Sequence, residues 1–145
     1  MSDEIQKGIN ISLDKSDMQG AIMAFPDQMR ESFEIMNNWS HEKEYSGIQK
    51  IMILGMGGSA IGGDVARVIA QNNCPMPIFV NRSYTIPRWV DAQTLIIASS
   101  YSGDTHEVLS AFSQCVERNC SIIVLSTGGK LTQNAKDIGL DLITI

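Results

Sequence analysis

The sequence predicts an α/β fold: a five-stranded parallel sheet in a three-layer αβα sandwich, preceded by an N-terminal helical segment. Three observations lead there. Five short apolar runs recur from residue 50 onward, at 51–54, 78–80, 94–98, 121–125 and 141–145. Amphipathic stretches separate most of them, at 60–71, 105–119 and 131–138. Three of the runs also end in Gly- or Ser-rich loops that open the next stretch. Continuous apolar strands suit a sheet buried on both faces, and strands alternating with helices make βαβ units. Right-handed crossovers then lay helices on both sides of the sheet.

In order, residues 1–16 are polar with scattered Ile and Leu. Asp17 is suited to cap a helix running into the twenties, and Pro26 to interrupt it. Asp27 can restart a helix through Trp39, with Met29, Phe33 and Met36 at helical spacing on one face. Residues 1–45 are thus expected to form a helical extension packed on a domain of residues 46–145. In the helix from Ala60 to Gln71, Ile61, Val65, Val68 and Ile69 share a face. In the helix from Thr105 to Asn119, Val108, Leu109, Phe112, Cys115 and Val116 do so. The last run stops at Ile145, where a parallel strand ordinarily feeds a further helix. The expectation is a domain cut at that boundary or continued by further sequence.

Bulk properties narrow the classes. A chain of 145 residues suits one domain, able to bury roughly 70% of its unfolded surface. The apolar fraction of 43% supports a packed core. The net charge of −5, with no basic cluster, argues against nucleic acid as a partner. Any bound anion must therefore be held by local groups. Three cysteines without a CxxC suit neither a disulfide framework nor zinc, and point to reduced thiols in a cytoplasmic protein. The start MSDEIQKG lacks a basic segment followed by an apolar one, so no signal peptide is expected. No apolar run reaches membrane-span length, so no membrane partner is expected either.

Ligands of open α/β sheets bind beyond the carboxyl ends of the strands. Three such ends carry the loops Gly55–Ser59, Ser99–Thr105 and Ser126–Lys130. Each offers backbone N–H groups at a helix start, and the first two add hydroxyls, which suits an anion. One reading is a dinucleotide. Gly55, Gly57 and Ala60 satisfy G-x-G-x-x-A after a strand. The second strand, however, ends in Asn81-Arg82 without the acid that a ribose 2′-OH needs. Arg82 would suit the 2′-phosphate of NADP instead. That reading leaves the serine cluster without a role. The other reading is a phosphate monoester. Ser100, Ser102 and Thr105 put three hydroxyls in one turn, and Ser59 on a neighbouring strand end can reach the same point. Single Ser or Thr residues are ordinary turn residues; four around one sheet edge favour a phosphate site.

SSYSGDT at 99–105 resembles the S-x-S-G-x-T loop of sugar isomerase (SIS) domains, which are flavodoxin-like. LGMGGSAIGGD (54–64), NRSYTIP (81–87), ASSYSGDTHE (98–107) and LSTGGKL (125–131) together resemble the bifunctional phosphoglucose/phosphomannose isomerase family, over about residues 17–145. The resemblance implies the first of two SIS domains of an aldose–ketose isomerase. Such an enzyme interconverts glucose 6-phosphate or mannose 6-phosphate with fructose 6-phosphate through a cis-enediol, without a cofactor or metal. It implies phosphate-binding hydroxyls at Ser59, Ser100, Ser102 and Thr105. It further implies backbone close to the sugar at Gly57, Gly58 and Gly103, and a homodimer through the SIS domain. Lys130 and His106 are candidates for the site's rim. Asp104 departs from the Asn usual in the family and sets a carboxylate beside a phosphate dianion. With Glu107 it spells a capping box, D-x-x-E. His41 reads as a solvated helix-end residue.

The resemblance also implies that the Glu base, the ring-opening His and a substrate-facing Arg lie beyond residue 145. No residue here inherits those roles, so the chain alone is expected to be inactive. Two alternatives stay open: a non-catalytic sugar-phosphate-binding SIS regulatory module, and an NADP-binding Rossmann domain.

Overall fold

The structure, a computed structural model, describes residues 14–41 and 43–145. Residues 1–13 of the polar stretch read at 1–16, and Glu42, lie outside the described residues. The chain divides into two compact units after Asn38.

The first unit holds two helices, α1 (Met18–Met23) and α2 (Phe25–Asn38). Asp17 caps α1, its carboxylate accepting from the Gly20 N–H at 3.2 Å. Asp14 accepts from the Met18 and Gln19 N–H groups, both at 2.8 Å. Pro26 stands just past the break between the two helices: α1 ends at Met23, Ala24 is a turn and α2 begins at Phe25. The proline is the second residue of α2, where the absent N–H leaves no helix bond unmade. Neither helix buries a residue.

The second unit runs β1 (Lys50–Leu54), α3 (Gly57–Ala70), β2 (Ile78–Asn81), β3 (Thr94–Ser99), α4 (His106–Glu117), β4 (Ser121–Ser126), α5 (Gly129–Asp137) and β5 (Asp141–Thr144). All five strands are parallel, in the order β2-β1-β3-β4-β5. Leu54 pairs with Ala98 and Ser99 with Leu125, so β1, β3 and β4 end together. The order reverses between β1 and β3, which is the crevice where this topology places ligands.

Side chains alternate across each strand, so Met52, Leu54, Ile96, Ala98, Ile122 and Val124 share one face. They bury against Val108, Ala111, Phe112 and Cys115 of α4 and against Leu131 and Ala135 of α5. Ile86 and Val90, from the irregular crossing between β2 and β3, complete this core. α3 lies on the other face. A Cβ at Gly63 would stand 3.0 Å from Ile53 Cγ2 and 3.4 Å from Val80 Cγ2. This helix touches the sheet through small residues, burying only Ala60 and Gly63. Its apolar face, Ile61, Val65, Val68 and Ile69, is 52–70% exposed. Helical period identified that face correctly, but period alone does not say which way a face points.

The β2–β3 crossing is tied to α4 by side-chain bonds in place of a helix. Gln114 Nε2 donates to Tyr84 O at 2.7 Å, and Arg118 donates to Pro87 O at 2.6 Å and Val90 O at 3.1 Å. Asp91 then shapes the turn just before β3, accepting from Lys50 Nζ, the Gln93 N–H and Thr94 Oγ1. The Lys50 ammonium and the two further donors hold its carboxyl below the usual range. A carboxylate with a lowered folded-state pKa adds stability above its unfolded value and loses it as pH falls through the folded one. Asp91→Asn is therefore expected to flatten the fall in stability below about pH 4, read by urea unfolding across pH. An unchanged acid limb would show that this ion pair is fully screened.

Candidate functional site

The three loops lie along one edge of the sheet, at the carboxyl ends of β1, β3 and β4. The last two are bound to each other. Thr127 donates to Tyr101 O through its N–H at 3.2 Å and its hydroxyl at 2.6 Å, and Leu131 N–H donates to Gly103 O at 2.9 Å. Two glycines permit the approach. Gly103 has φ +71, and a Cβ there would stand 1.8 Å from Gly128 O. Gly129 has φ +67, and its Cβ would stand 2.4 Å from Ser102 O.

The β3 loop is built around Ser100, which is buried, 2% exposed. Its hydroxyl accepts from the Gly103 N–H at 3.1 Å and lies 2.9 Å from Thr105 Oγ1. Thr105 is the N-cap residue of α4, yet its side chain does not cap the helix, because it turns to Ser100. The first N–H groups of α4 are left without a side-chain acceptor. α3 is open in the same way, with Met56 as its N-cap and no capping side chain. Ser59 stands in the first turn of α3, half-buried. Ser102 is exposed and accepts from the Asp104 N–H at 3.3 Å. Gly57 has φ +51, and both it and Gly58 have open space where a Cβ would be. His106 and Lys130, the first residue of α4 and the second of α5, are exposed.

The structure brings Ser100 and Thr105 into contact and sets Ser102 on the same turn. Ser59, in the first turn of α3, follows β1, the strand beside β3. Together these groups offer hydroxyls and two uncapped helix N-termini, a set of donors with no fixed cation among them. Such a set can surround an anion through hydrogen bonds and helix dipoles.

The capping box read from Asp104 and Glu107 does not form. Asp104 caps the next helix instead, its Oδ1 accepting from the Lys130 N–H at 3.1 Å. The Glu107 charge instead faces Tyr84 and raises its hydroxyl above the usual range. Both partners come from elements distant in sequence, which local spacing cannot show. Arg82, the residue that an NADP 2′-phosphate would need, is ion-paired with Asp64 of α3 and donates to Ala60 O at 3.3 Å. His41 is exposed, its Nδ1–H donating to Lys43 O at 2.8 Å. Among the described residues no three His, Cys, Asp or Glu side chains cluster as a metal ion would require. No helix of the described residues is long and apolar enough to cross a membrane.

No protein-family model matches the chain. Individual proteins do. A bifunctional phosphoglucose/phosphomannose isomerase from Caldicellulosiruptor bescii is 44% identical over 125 residues, 86% of this chain and 37% of that protein. One from Thermoplasma acidophilum is 39% identical over 95 residues, 66% of this chain and 28% of the relative. The matched residues belong to the bifunctional phosphoglucose/phosphomannose isomerase family. The chain spans about a third of the length of these curated relatives. A relative of different name, a D-glucosamine-6-phosphate 4-epimerase from Sulfolobus acidocaldarius, is 36% identical over 98 residues, 67% of this chain and 30% of that protein.

Solved structures agree on the fold. The tagatose-6-phosphate ketose/aldose isomerase of Escherichia coli superposes with a TM-score of 0.58 at 18% identity, over 87% of this chain and 35% of that one. A hypothetical protein from Thermus thermophilus gives 0.62 at 20% identity, over 85% and 33%. The αβα architecture of phosphosugar isomerases of the SIS type is thus present here.

Proposed function

We propose that residues 46–145 are the sugar-phosphate-binding SIS domain of an isomerase that interconverts glucose 6-phosphate or mannose 6-phosphate with fructose 6-phosphate. The observation that carries this is the cap residue that does not cap. Thr105 turns its hydroxyl to that of Ser100 and leaves the α4 N-terminus open. In this reading the phosphate takes hydrogen bonds from Ser59, Ser100, Ser102, Thr105 and the open amides. Gly57 and Gly58 let the sugar approach the backbone, and Lys130 and His106 stand at the rim. The names of the relatives support a phosphorylated sugar as the ligand, though not one single reaction.

Shifting a proton between C1 and C2 needs a base, which hydroxyl donors do not supply, and Asp104 is engaged on α5. The proposed role of this chain is therefore binding. A thermal-shift titration with fructose 6-phosphate, beside inorganic phosphate and NADP, tests it. A ligand at a hundredfold excess over Kd stabilises by about 2.7 kcal/mol. A larger shift with fructose 6-phosphate than with phosphate is the expected result. A shift with NADP alone would overturn the reading. An aldose–ketose assay of the same chain is expected to show no turnover; turnover would place the base within these residues.

Asp104→Asn follows from the same proposal. Asn keeps an acceptor for the Lys130 N–H and removes a negative charge beside the phosphate. Titration calorimetry is expected to show equal or tighter sugar-phosphate binding, with stability lowered by at most about 1 kcal/mol. Weaker binding would mean that the carboxylate contributes to the site.

A further inference from the structure

The end of α4 carries a feature that phosphate binding does not use. The Cys120 N–H donates to Cys115 O at 3.1 Å, the Asn119 N–H donates to Val116 O at 3.0 Å, and Asn119 has φ +55. This is a Schellman ending, which sets the side chain of the third-last helical position against that of the second residue beyond the C-cap. α5 ends the same way. Leu140 N–H donates to Ala135 O at 2.8 Å, Gly139 N–H donates to Lys136 O at 3.2 Å, and Gly139 has φ +64. In α5 the two matched positions hold Ala135 and Leu140, the apolar pair usual for this motif. In α4 they hold two cysteines.

The bonds of this ending set the Cys115 and Cys120 side chains against each other. Cys115 is wholly buried, whereas Cys120 is half-exposed, its sulfur also 3.2 Å from Asp91 O. The charges around the pair are mixed. Arg118 and Lys50 favour the Cys120 thiolate and Asp91 opposes it. The Cys115 thiol, the largest influence, holds the Cys120 thiol below its usual range. The same pairing and burial push Cys115 far up.

We propose that Cys115 and Cys120 are a redox pair that hydrogen peroxide converts to an intramolecular disulfide, Cys120 reacting and Cys115 resolving. The Cys120 thiolate attacks one peroxide oxygen. An S–O bond forms, the O–O bond breaks, and hydroxide leaves and is protonated to water. The sulfur becomes a sulfenic acid. Cys115 then loses its proton and attacks that sulfur. The S–S bond forms, the S–O bond breaks, and hydroxide takes the proton as a second water. Two electrons pass from the thiols to the peroxide. Two side chains that the helix ending already sets side by side can bring their sulfurs together by rotation about their own bonds. Accessibility favours Cys120 as the attacking thiol and shielding suits Cys115 as the resolving one.

Peptide mapping of the chain after brief hydrogen peroxide treatment tests this, with half-exposed Cys74 as the internal reference. The expected product is a two-hydrogen mass loss in one crosslinked species joining Cys115 to Cys120, with Cys74 unmodified. Cys115→Ala copies the residue that α5 carries at the matching position. It should instead accumulate a dimedone-trappable sulfenic acid at Cys120. A wild-type chain that gives sulfinic acid at Cys120 without the crosslink would overturn the proposal. So would one that reacts first at Cys74. If Cys115→Ala fails to fold by circular dichroism, the wild-type map decides alone.

Discussion

Gly103→Ala is expected to lower the stability of the chain by about 3 kcal/mol. Two costs combine. The left-handed backbone at φ +71 costs a residue with a Cβ about 1–2 kcal/mol. The Cβ would also stand 1.8 Å from Gly128 O, and backbone on a bonded neighbouring loop has little room to retreat. Forced overpacking typically adds about 1–3 kcal/mol. The loss should separate the β3 and β4 loops, which meet through Thr127, Tyr101 and Leu131. Urea unfolding followed by circular dichroism reads the change. Gly58→Ala is the matched control, since nothing lies within 4 Å of its Cβ position and α3 is helical there. Its stability is expected within about 1 kcal/mol of wild type. Its affinity for fructose 6-phosphate should fall if the sugar approaches that backbone. Gly103→Ala as stable as wild type would mean that the two loops part without cost.

Ser100→Ala is expected to weaken fructose 6-phosphate binding by roughly 10- to 100-fold while leaving the chain folded. A hydrogen bond to a charged group contributes about 1.5–3 kcal/mol, and each 1.4 kcal/mol is tenfold in Kd. Folding should suffer less, by about 1 kcal/mol, because the Gly103 N–H keeps Ser100 O as a second acceptor at 3.2 Å. Thr105→Val should act similarly, since it removes the other hydroxyl of the pair and keeps the branched shape. Ser102→Ala should cost less than either, as its exposed hydroxyl accepts only from the Asp104 N–H. Calorimetric titration of the three variants gives the order. Undiminished binding in a folded Ser100→Ala variant would remove the phosphate from this loop.

The fold was legible because each strand is a continuous apolar run and each loop announces itself with Gly or Ser. Val108, Phe112 and Cys115 show why α4 was also readable, since its apolar face is the buried one. α3 shows what period leaves open. Its large apolar residues point away from the sheet, and Gly63 and Ala60, too small to mark a face by hydropathy, make the contact. The break expected at Pro26 lies two residues earlier, at Ala24, and Pro26 sits in the first turn of the next helix, which has no bond for proline to break.

By itself the sequence determined that strands and helices alternate, that polar loops close the carboxyl ends of three strands, and that hydroxyls cluster in one of them. These are properties of local composition and period, which are present before folding. Only the tertiary structure decided how those hydroxyls are used. Whether Thr105 caps its own helix or turns to Ser100 depends on the path of the loop between them. Whether Asp104 caps α4 or α5 depends on a loop 26 residues away, brought near by the parallel pairing of β3 and β4. Hydrogen bonds of a few ångströms select among partners by distance in space, and the sheet sets those distances.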